Sequence, residues 1–194
     1  HQATAFPDHT CGSRPVRGSF LPGQKSTVRS RLDNFTMHQV DLTDGAVLEK
    51  GCVYVVPLLE SLSLKKEVSG MANPKSSTGR LDLLTRTITD GGTEFDRIAE
   101  GYTGPLYAEI CPRSFSVLVR PGMRLNQIRF RRGRSVLTDT ELQALHTEQT
   151  LVGGGPAVIS EGLGFSVDLQ PGDGGLVGYR ARPHTGVIDL DRIG

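Results

Sequence analysis

The densest group of polar side chains in the sequence lies between Asn73 and Arg80, in the order Asn-Pro-Lys-Ser-Ser-Thr-Gly-Arg. Lys75 and Arg80 carry positive charge, and the three residues after Lys75 carry hydroxyl groups. At a turn or helix start, such groups present donors and charge to an anion, most simply a phosphate. The spacing of a P-loop is absent. A solvated serine-rich turn is the alternative interpretation, and such turns are common.

A single carboxylate interrupts the apolar run 106–110, which reads Leu-Tyr-Ala-Glu-Ile. Alternation along a strand would place Glu109 with Tyr107 on one face and the other three residues on the opposite face. A carboxylate in apolar surroundings costs desolvation free energy unless it is paired, hydrated or used in chemistry. Glu109 is therefore a candidate acid or base. A solvent-facing position on a half-exposed strand is the alternative, and periodicity leaves both open.

Two further polar features follow in the chain. The amide of Gln127 could bind a water molecule or the edge of a ligand, although an outward-facing strand position explains it equally well. Four arginines form a basic cluster at Arg129, Arg131, Arg132 and Arg134. A solvated charged turn accounts for this cluster better than a nucleic-acid patch does, because the net charge is only +1 and aromatic residues make up 6%.

The run from His146 to Glu148 matches the His-x-Glu half of a zinc deaminase signature. The Pro-Cys-x-x-Cys half is missing, and Cys11, Cys52 and Cys111 are too scattered to replace it. We therefore expect no zinc site.

The elements that must position these residues are short strands separated by turns. Strands are predicted at 46–48, 52–56, 81–83, 106–110, 115–119 and 123–130, with Pro57 ending the second of them. One short helix is predicted near 139–146, after the sheet, because Thr138 and Glu141 have the spacing of a capping box. The pattern is typical of an all-β sandwich or barrel.

Composition and the positions of glycine-rich and non-periodic segments predict the domain organisation. The chain of 194 residues can bury one sizeable core, with no apolar run long enough to span a membrane and no disulfide framework. We expect an intracellular protein. Residues 1–16 lack periodicity and are expected to be disordered or foreign to the fold. A domain is predicted over 17–150, a glycine-rich linker over 151–162, and the truncated start of a second domain over 163–194, beginning with a strand at 164–169.

Four motifs together resemble the dCTP deaminase branch of the dUTPase-like superfamily, most closely the long bacterial enzymes with two related domains. They are the segments 74–82, 95–104, 107–110 and 121–127, which begin Pro-Lys-Ser-Ser-Thr-Gly-Arg, Phe-Asp-Arg-Ile, Tyr-Ala-Glu-Ile and Pro-Gly-Met-Arg. Each motif alone is weak, whereas their order and spacing over residues 16–150 are specific.

The resemblance implies a β-clip, or distorted jelly-roll, fold and the conversion of dCTP and water to dUTP and ammonia in pyrimidine deoxynucleotide metabolism. Glu109 would be the base that activates water, with Ser76 and Arg80 as further catalytic residues. The substrate-binding positions are Lys75, Ser77, Gln127, Asp96 and Tyr102. The family works without zinc, with Mg²⁺ on the triphosphate. It also implies a cytoplasmic homotrimer, with active sites between subunits and no membrane or nucleic-acid partner.

Two departures from the family pattern matter. Ala99 stands where dUTPases place a water-activating Asp, which weakens the alternative of a dUTP or dCTP pyrophosphatase on the same fold. The usual opening strand, Ser-x-Asp-Leu, is not found before Ser19, so the first domain is expected to lack its first strand. A non-catalytic nucleotide-binding fragment is the remaining alternative.

Overall fold

The computed structural model describes residues 12–133, 136–170, 174–179, 182 and 186–192. Its helices are α1 (Val28–Phe35), α2 (Ser76–Arg80) and α3 (Asp139–Glu148). Its strands are β1 (Gly12–Val16), β2 (Val40–Asp41), β3 (Ala46–Leu48), β4 (Val53–Ser63), β5 (Val68–Pro74), β6 (Leu83–Thr89), β7 (Arg97–Ile98), β8 (Thr103–Pro112), β9 (Val117–Val119), β10 (Asn126–Arg132), β11 (Val158–Ile159), β12 (Leu163–Gly164) and β13 (Ile188–Asp189). The predicted all-β class is confirmed.

The largest sheet has the antiparallel order β2-β1-β4-β8-β6 and both of its faces are covered. One face packs Tyr54, Ala108 and Ile110 into a core that includes Leu48 and Val117. The opposite face packs Val55, Ile88 and Tyr107 against Val28 and Leu32 of α1. Because side chains alternate along each strand, β8 serves both cores and is buried from Leu106 to Pro112.

Two smaller sheets complete the first part of the structure. The order β10-β5-β7 is antiparallel, and Asn126 to Arg132 pairs with Pro74 to Val68 without interruption. In the third sheet, β9 lies between β3 and β13, and β13 runs parallel to it. Arg120, just after β9, donates to Asp189 at 2.7 Å and to Asp191 at 2.8 Å. The carboxylates thereby hold the segment around β13 against β9.

The expectation that Pro57 ends its strand is wrong. Strand β4 continues to Ser63, with a register shift against β8 between Pro57 and Ser61. On its other side, β4 is accompanied by β1 only from Val53 to Val55. Pro57 is tolerated because proline fits at bulges and at strand positions that lack a partner on one side.

The expectation that residues 1–16 lie outside the fold is wrong for Gly12–Val16, and residues 1–11 lie outside the described part. Strand β1 lies between β2 and β4, and Ser13 and Val16 are buried. The first element in the described part of the chain is therefore a strand. That the family's opening strand, Ser-x-Asp-Leu, is missing stays a prediction. The sequence pattern was uninformative here because β1 holds only one large apolar residue.

The predicted helix after the sheet is confirmed as α3. Thr138 accepts a hydrogen bond from the backbone of Glu141, whose carboxylate accepts from the backbone of Thr138, so the capping box is complete. Helices α1 and α2 were not predicted from the sequence. In α1, only Val28 and Leu32 are buried, which is too short an apolar stripe to stand out among polar residues.

Replacing Thr138 with alanine should weaken the first turn of α3 by about 1 kcal/mol, because an amide at the helix start loses its acceptor. Hydrogen exchange of the backbone amides at 139–142 measures the effect. Thr140→Ala is the matched control, since that exposed threonine lies within the helix and caps nothing. Equal protection of these amides in the two variants would contradict the capping role.

The chain divides into two compact units, the first from residues 1–132 and 181–194 and the second from 133–180. The boundary lies before α3, earlier than the predicted end of the first domain at 150. The strand expected at 164–169 is wrong beyond Gly164, since β12 ends there and pairs with β11. Strand β11 lies inside the predicted linker, and β13 belongs to the first unit.

No helix in the described ranges is long and apolar enough to cross a membrane.

Candidate active site

Glu109 is buried in the centre of the largest sheet. In register it lies between Val55 of β4 and Arg86 of β6, and only 1% of its surface is exposed. Its side chain shares a face with Tyr107, as the alternation predicted. The solvent-facing alternative for Glu109 is therefore wrong. A carboxylate buried to this extent needs partners that offset the cost of its desolvation.

The two oxygens of the Glu109 carboxylate have different surroundings. Oε1 accepts from Arg86 Nε at 3.1 Å, from Arg86 Nη2 and from the hydroxyl of Ser19 at 3.1 Å. Arg86 Nη2 also donates to the Ser19 hydroxyl at 2.9 Å. Oε2 is buried and has no hydrogen-bond partner within the described part of the chain. The described residues thus bind one carboxylate oxygen and not the other.

Arg86 is itself held between the sheet and an aromatic ring. Its guanidinium carbon lies 3.7 Å from the centroid of the Phe95 ring, within the range of a favourable cation–π contact. Phe95 packs against the same core as Tyr107. Arg86 and Ser19 lie outside the motifs found in the sequence, and Phe95 begins one of them but was given no role. Arg86 could have been noticed as the one charged residue in the run 83–89. Its position opposite Glu109 depends on strand pairing, which the sequence pattern does not give.

The polar segment at 73–80 joins β5 to β6 through α2. Leu125 O accepts from Lys75 N at 2.9 Å and from the Thr78 hydroxyl at 3.0 Å, so Thr78 is a buried structural residue. Ser76, Ser77 and Arg80 are exposed. The predicted phosphate-binding side chains therefore lie at the surface of α2, anchored beside the start of β10.

Ser76 and Arg80 are not bonded to Glu109 within the described part of one chain. In the residues that the structure describes, no hydrogen bond or ion pair links either side chain to the Glu109 carboxylate. Asn126, next to Leu125, donates to the Thr87 hydroxyl at 3.0 Å. Because Thr87 and Arg86 point to opposite faces of β6, this contact lies on the face away from Glu109. The exposed Gln127 follows Asn126 in β10.

Asp96 closes the loop beside Arg86. Its carboxylate accepts from Thr87 N at 2.8 Å, while its own N–H donates to Thr87 O at 2.8 Å. Burial raises the pKa of Asp96, opposed by this hydrogen bond and by the Arg86 charge. The backbone of Asp96 has φ 65°, a left-handed conformation that Asp tolerates better than most residues. Asp96 is therefore placed within electrostatic reach of the Arg86 guanidinium.

Tyr102 uses its hydroxyl within the protein. The hydroxyl donates to Pro105 O at 2.6 Å and accepts from Asp90 N at 3.1 Å. Its side chain also lines a surface groove of about 370 Å³ together with Thr93 and Arg97. Only the ring of Tyr102 is therefore available for a ligand in this conformation. Burial raises the pKa of Tyr102 to about 12.

The raised pKa of Tyr102 predicts an alkaline loss of stability. Below about pH 10 the phenol is protonated in both states, and above it the unfolded chain ionises first, so stability falls as pH rises toward 12. Tyr102→Phe should cost about 1 to 2 kcal/mol at neutral pH, because Asp90 N and Pro105 O lose a partner. Urea unfolding should show this deficit shrinking above about pH 10. Tyr179→Phe, at a side chain 94% exposed, is the control, and a deficit that stays constant with pH would contradict the assignment.

Comparisons with known proteins cover nearly the whole chain. Residues 10–134 match the family model of the 2'-deoxycytidine 5'-triphosphate deaminase N-terminal domain, and residues 138–194 match that of its C-terminal domain. The crystal structure of 2'-deoxycytidine 5'-triphosphate deaminase from Agrobacterium tumefaciens is 51% identical, with a TM-score of 0.71. The match covers 93% of this chain and 54% of that one, so the chain spans about half its length. No match was found among curated protein sequences.

Proposed function

Because the chain belongs to the 2'-deoxycytidine 5'-triphosphate deaminase family, we propose that it hydrolyses the exocyclic amino group of dCTP to give dUTP and ammonia. The observation that carries this proposal is the Glu109 carboxylate, with Oε1 held by Arg86 and Oε2 buried without a hydrogen-bond partner among the described residues. A carboxylate in such a site can exchange protons with a substrate that enters it.

Glu109 acts as the proton carrier of this reaction. The oxygen of a water molecule bonds to C4 of the cytosine ring while Glu109 takes one water proton and passes it to ring N3. Glu109 then carries the remaining hydroxyl proton to the amino nitrogen, the C4–N bond breaks, and ammonia leaves. Water thus supplies the new carbonyl oxygen and both protons, and the carboxylate is regenerated.

Ser76 and Arg80 complete the site from a second copy of the chain. The exposed side chains of α2 are anchored beside the face of β6 that lies away from Glu109, which favours a site shared between subunits over one within a chain. We propose a homotrimer, in which the Ser76 hydroxyl positions the water and the Arg80 guanidinium stabilises the developing negative charge.

The remaining substrate contacts follow the surface of the same elements. Lys75, Ser77 and Gln127 bind the triphosphate, while Asp96 and the Tyr102 ring contact the nucleoside.

No group of three or more His, Cys, Asp or Glu side chains in the described ranges is placed to hold a metal ion. Mg²⁺ prefers substrate phosphates with one or two carboxylates, so we propose that it arrives on the triphosphate. Cys52 and Cys111 are free thiols, which supports a cytoplasmic location.

Incubation of the chain with dCTP and Mg²⁺, with separation of the nucleotides and an ammonia assay, tests the proposal. We expect equal amounts of dUTP and ammonia with the triphosphate retained. Release of pyrophosphate would instead identify a pyrophosphatase. Nucleotide binding without either product would identify a non-catalytic binding protein, and both of these outcomes overturn the proposal.

A further inference from the structure

We propose that Arg86 is the positioning residue of Glu109, holding Oε1 so that Oε2 alone exchanges protons with the substrate. This inference rests on the proposed function and assigns a role to a residue that none of the sequence motifs indicated. In this assignment, Oε1 is the oxygen that Arg86 holds and Oε2 is the oxygen that reacts.

The hydrogen bonds to Glu109 support this division. An arginine that only neutralises a carboxylate commonly binds both of its oxygens through two parallel hydrogen bonds. Here Nε and Nη2 of Arg86 both donate to Oε1, and the Ser19 hydroxyl donates to the same atom. Three donors occupy Oε1, whereas buried Oε2 has no hydrogen-bond partner within the described residues.

The surroundings of Arg86 restrict its motion. Arg86 and Glu109 are direct cross-strand neighbours in the β6–β8 pair, so the backbone fixes the separation of their Cα atoms. Phe95 packs under the guanidinium plane, and Nη2 is bound to Ser19 as well as to Glu109. A planar group with two donors in a fixed geometry determines the rotation of the carboxylate, which a single ammonium would leave undetermined.

Arg86→Ala and Arg86→Lys test the proposal with dCTP as substrate. We expect kcat of Arg86→Ala to fall about a hundredfold with KM changed less than about threefold, because the reacting oxygen loses its orientation while the substrate contacts remain. Arg86→Lys should keep the charge but recover only part of kcat. Added guanidinium at a non-denaturing concentration should raise kcat of Arg86→Ala about tenfold, with ammonium ineffective.

Arg132→Ala is the matched control, because Arg132 lies in β10, outside the sheet that holds Glu109, and forms a surface ion pair with Glu67. It should leave kcat, KM and guanidinium dependence unchanged. Thermal unfolding of every variant distinguishes a loss of activity caused by lower stability from a direct effect on kcat. If Arg86→Ala is too unstable to assay, Phe95→Leu keeps the guanidinium but removes its aromatic support, and should lower kcat about fivefold without guanidinium rescue.

Several outcomes would overturn this role. A folded Arg86→Ala with unchanged kcat means that Arg86 only offsets the buried charge, and a large rise in KM at constant kcat means that it binds the substrate. In either case the wild-type chain still produces dUTP and the proposed function stands. A wild-type chain that does not convert dCTP overturns both proposals. In that case the wild type and all variants show the same background rate of dUTP formation.

Discussion

Glu109→Gln is expected to lower kcat for dCTP roughly a thousandfold, because the amide cannot take a proton from water or return one to the leaving amine. Nucleotide affinity should change little, since Gln has the same shape. The thermal unfolding midpoint should also be largely kept, because the Gln carbonyl oxygen can still accept from Arg86 and Ser19 in place of Oε1. Steady-state kinetics, nucleotide titration and thermal unfolding measure the three quantities.

Glu60→Gln provides the matched control for this substitution. Glu60 lies in β4 of the same sheet, and its side chain is exposed. The control should behave as wild type in all three measurements. Turnover by Glu109→Gln within tenfold of wild type would remove Glu109 from the role of base, whatever the nucleotide products are.

The second large effect is the recovery of activity when two inactive variants assemble together. Arg80→Ala should lower kcat about a hundredfold because developing charge loses its stabilising guanidinium. Its stability should be unchanged, because the Arg80 side chain is exposed and makes no ion pair within the described residues. If Arg80 and Glu109 of different subunits share a site, hybrids of Arg80→Ala and Glu109→Gln contain some sites with both native residues. In a trimer that contains both variants, one of the three sites has both native residues, so the purified hybrid should show about a third of wild-type activity.

Coexpression of the two variants with different tags, followed by purification through both tags, yields the hybrid for assay. A hybrid of Glu109→Gln with Glu109→Ala is the control, because none of its sites contains the carboxylate. Recovery in the first hybrid and none in the second is the expected result. An inactive first hybrid, from subunits shown to be associated, would place Arg80 and Glu109 in one chain or remove Arg80 from the site.

The predicted strands and the helix α3 rest on local patterns. Alternation along β8 correctly assigned Glu109 and Tyr107 to one face, and the Thr138–Glu141 spacing correctly predicted a capping box. These features depend on residues within a few positions of each other, so a single segment contains the information. Where a segment holds few apolar residues, as in β1 and α1, the same reasoning failed, because neighbouring elements stabilise it.

Local residue patterns were sufficient to predict the strand-rich class, the single carboxylate in an apolar strand and the family to which the motifs belong. The burial of Glu109, its pairing with Arg86 and the contacts of Ser19 and Phe95 with this pair became evident from the folded chain alone. Ser19 lies 90 positions from Glu109, and strand order and loop closure bring the two together. Pairing across a sheet depends on the packing free energy of the whole domain, which no local spacing of residues encodes.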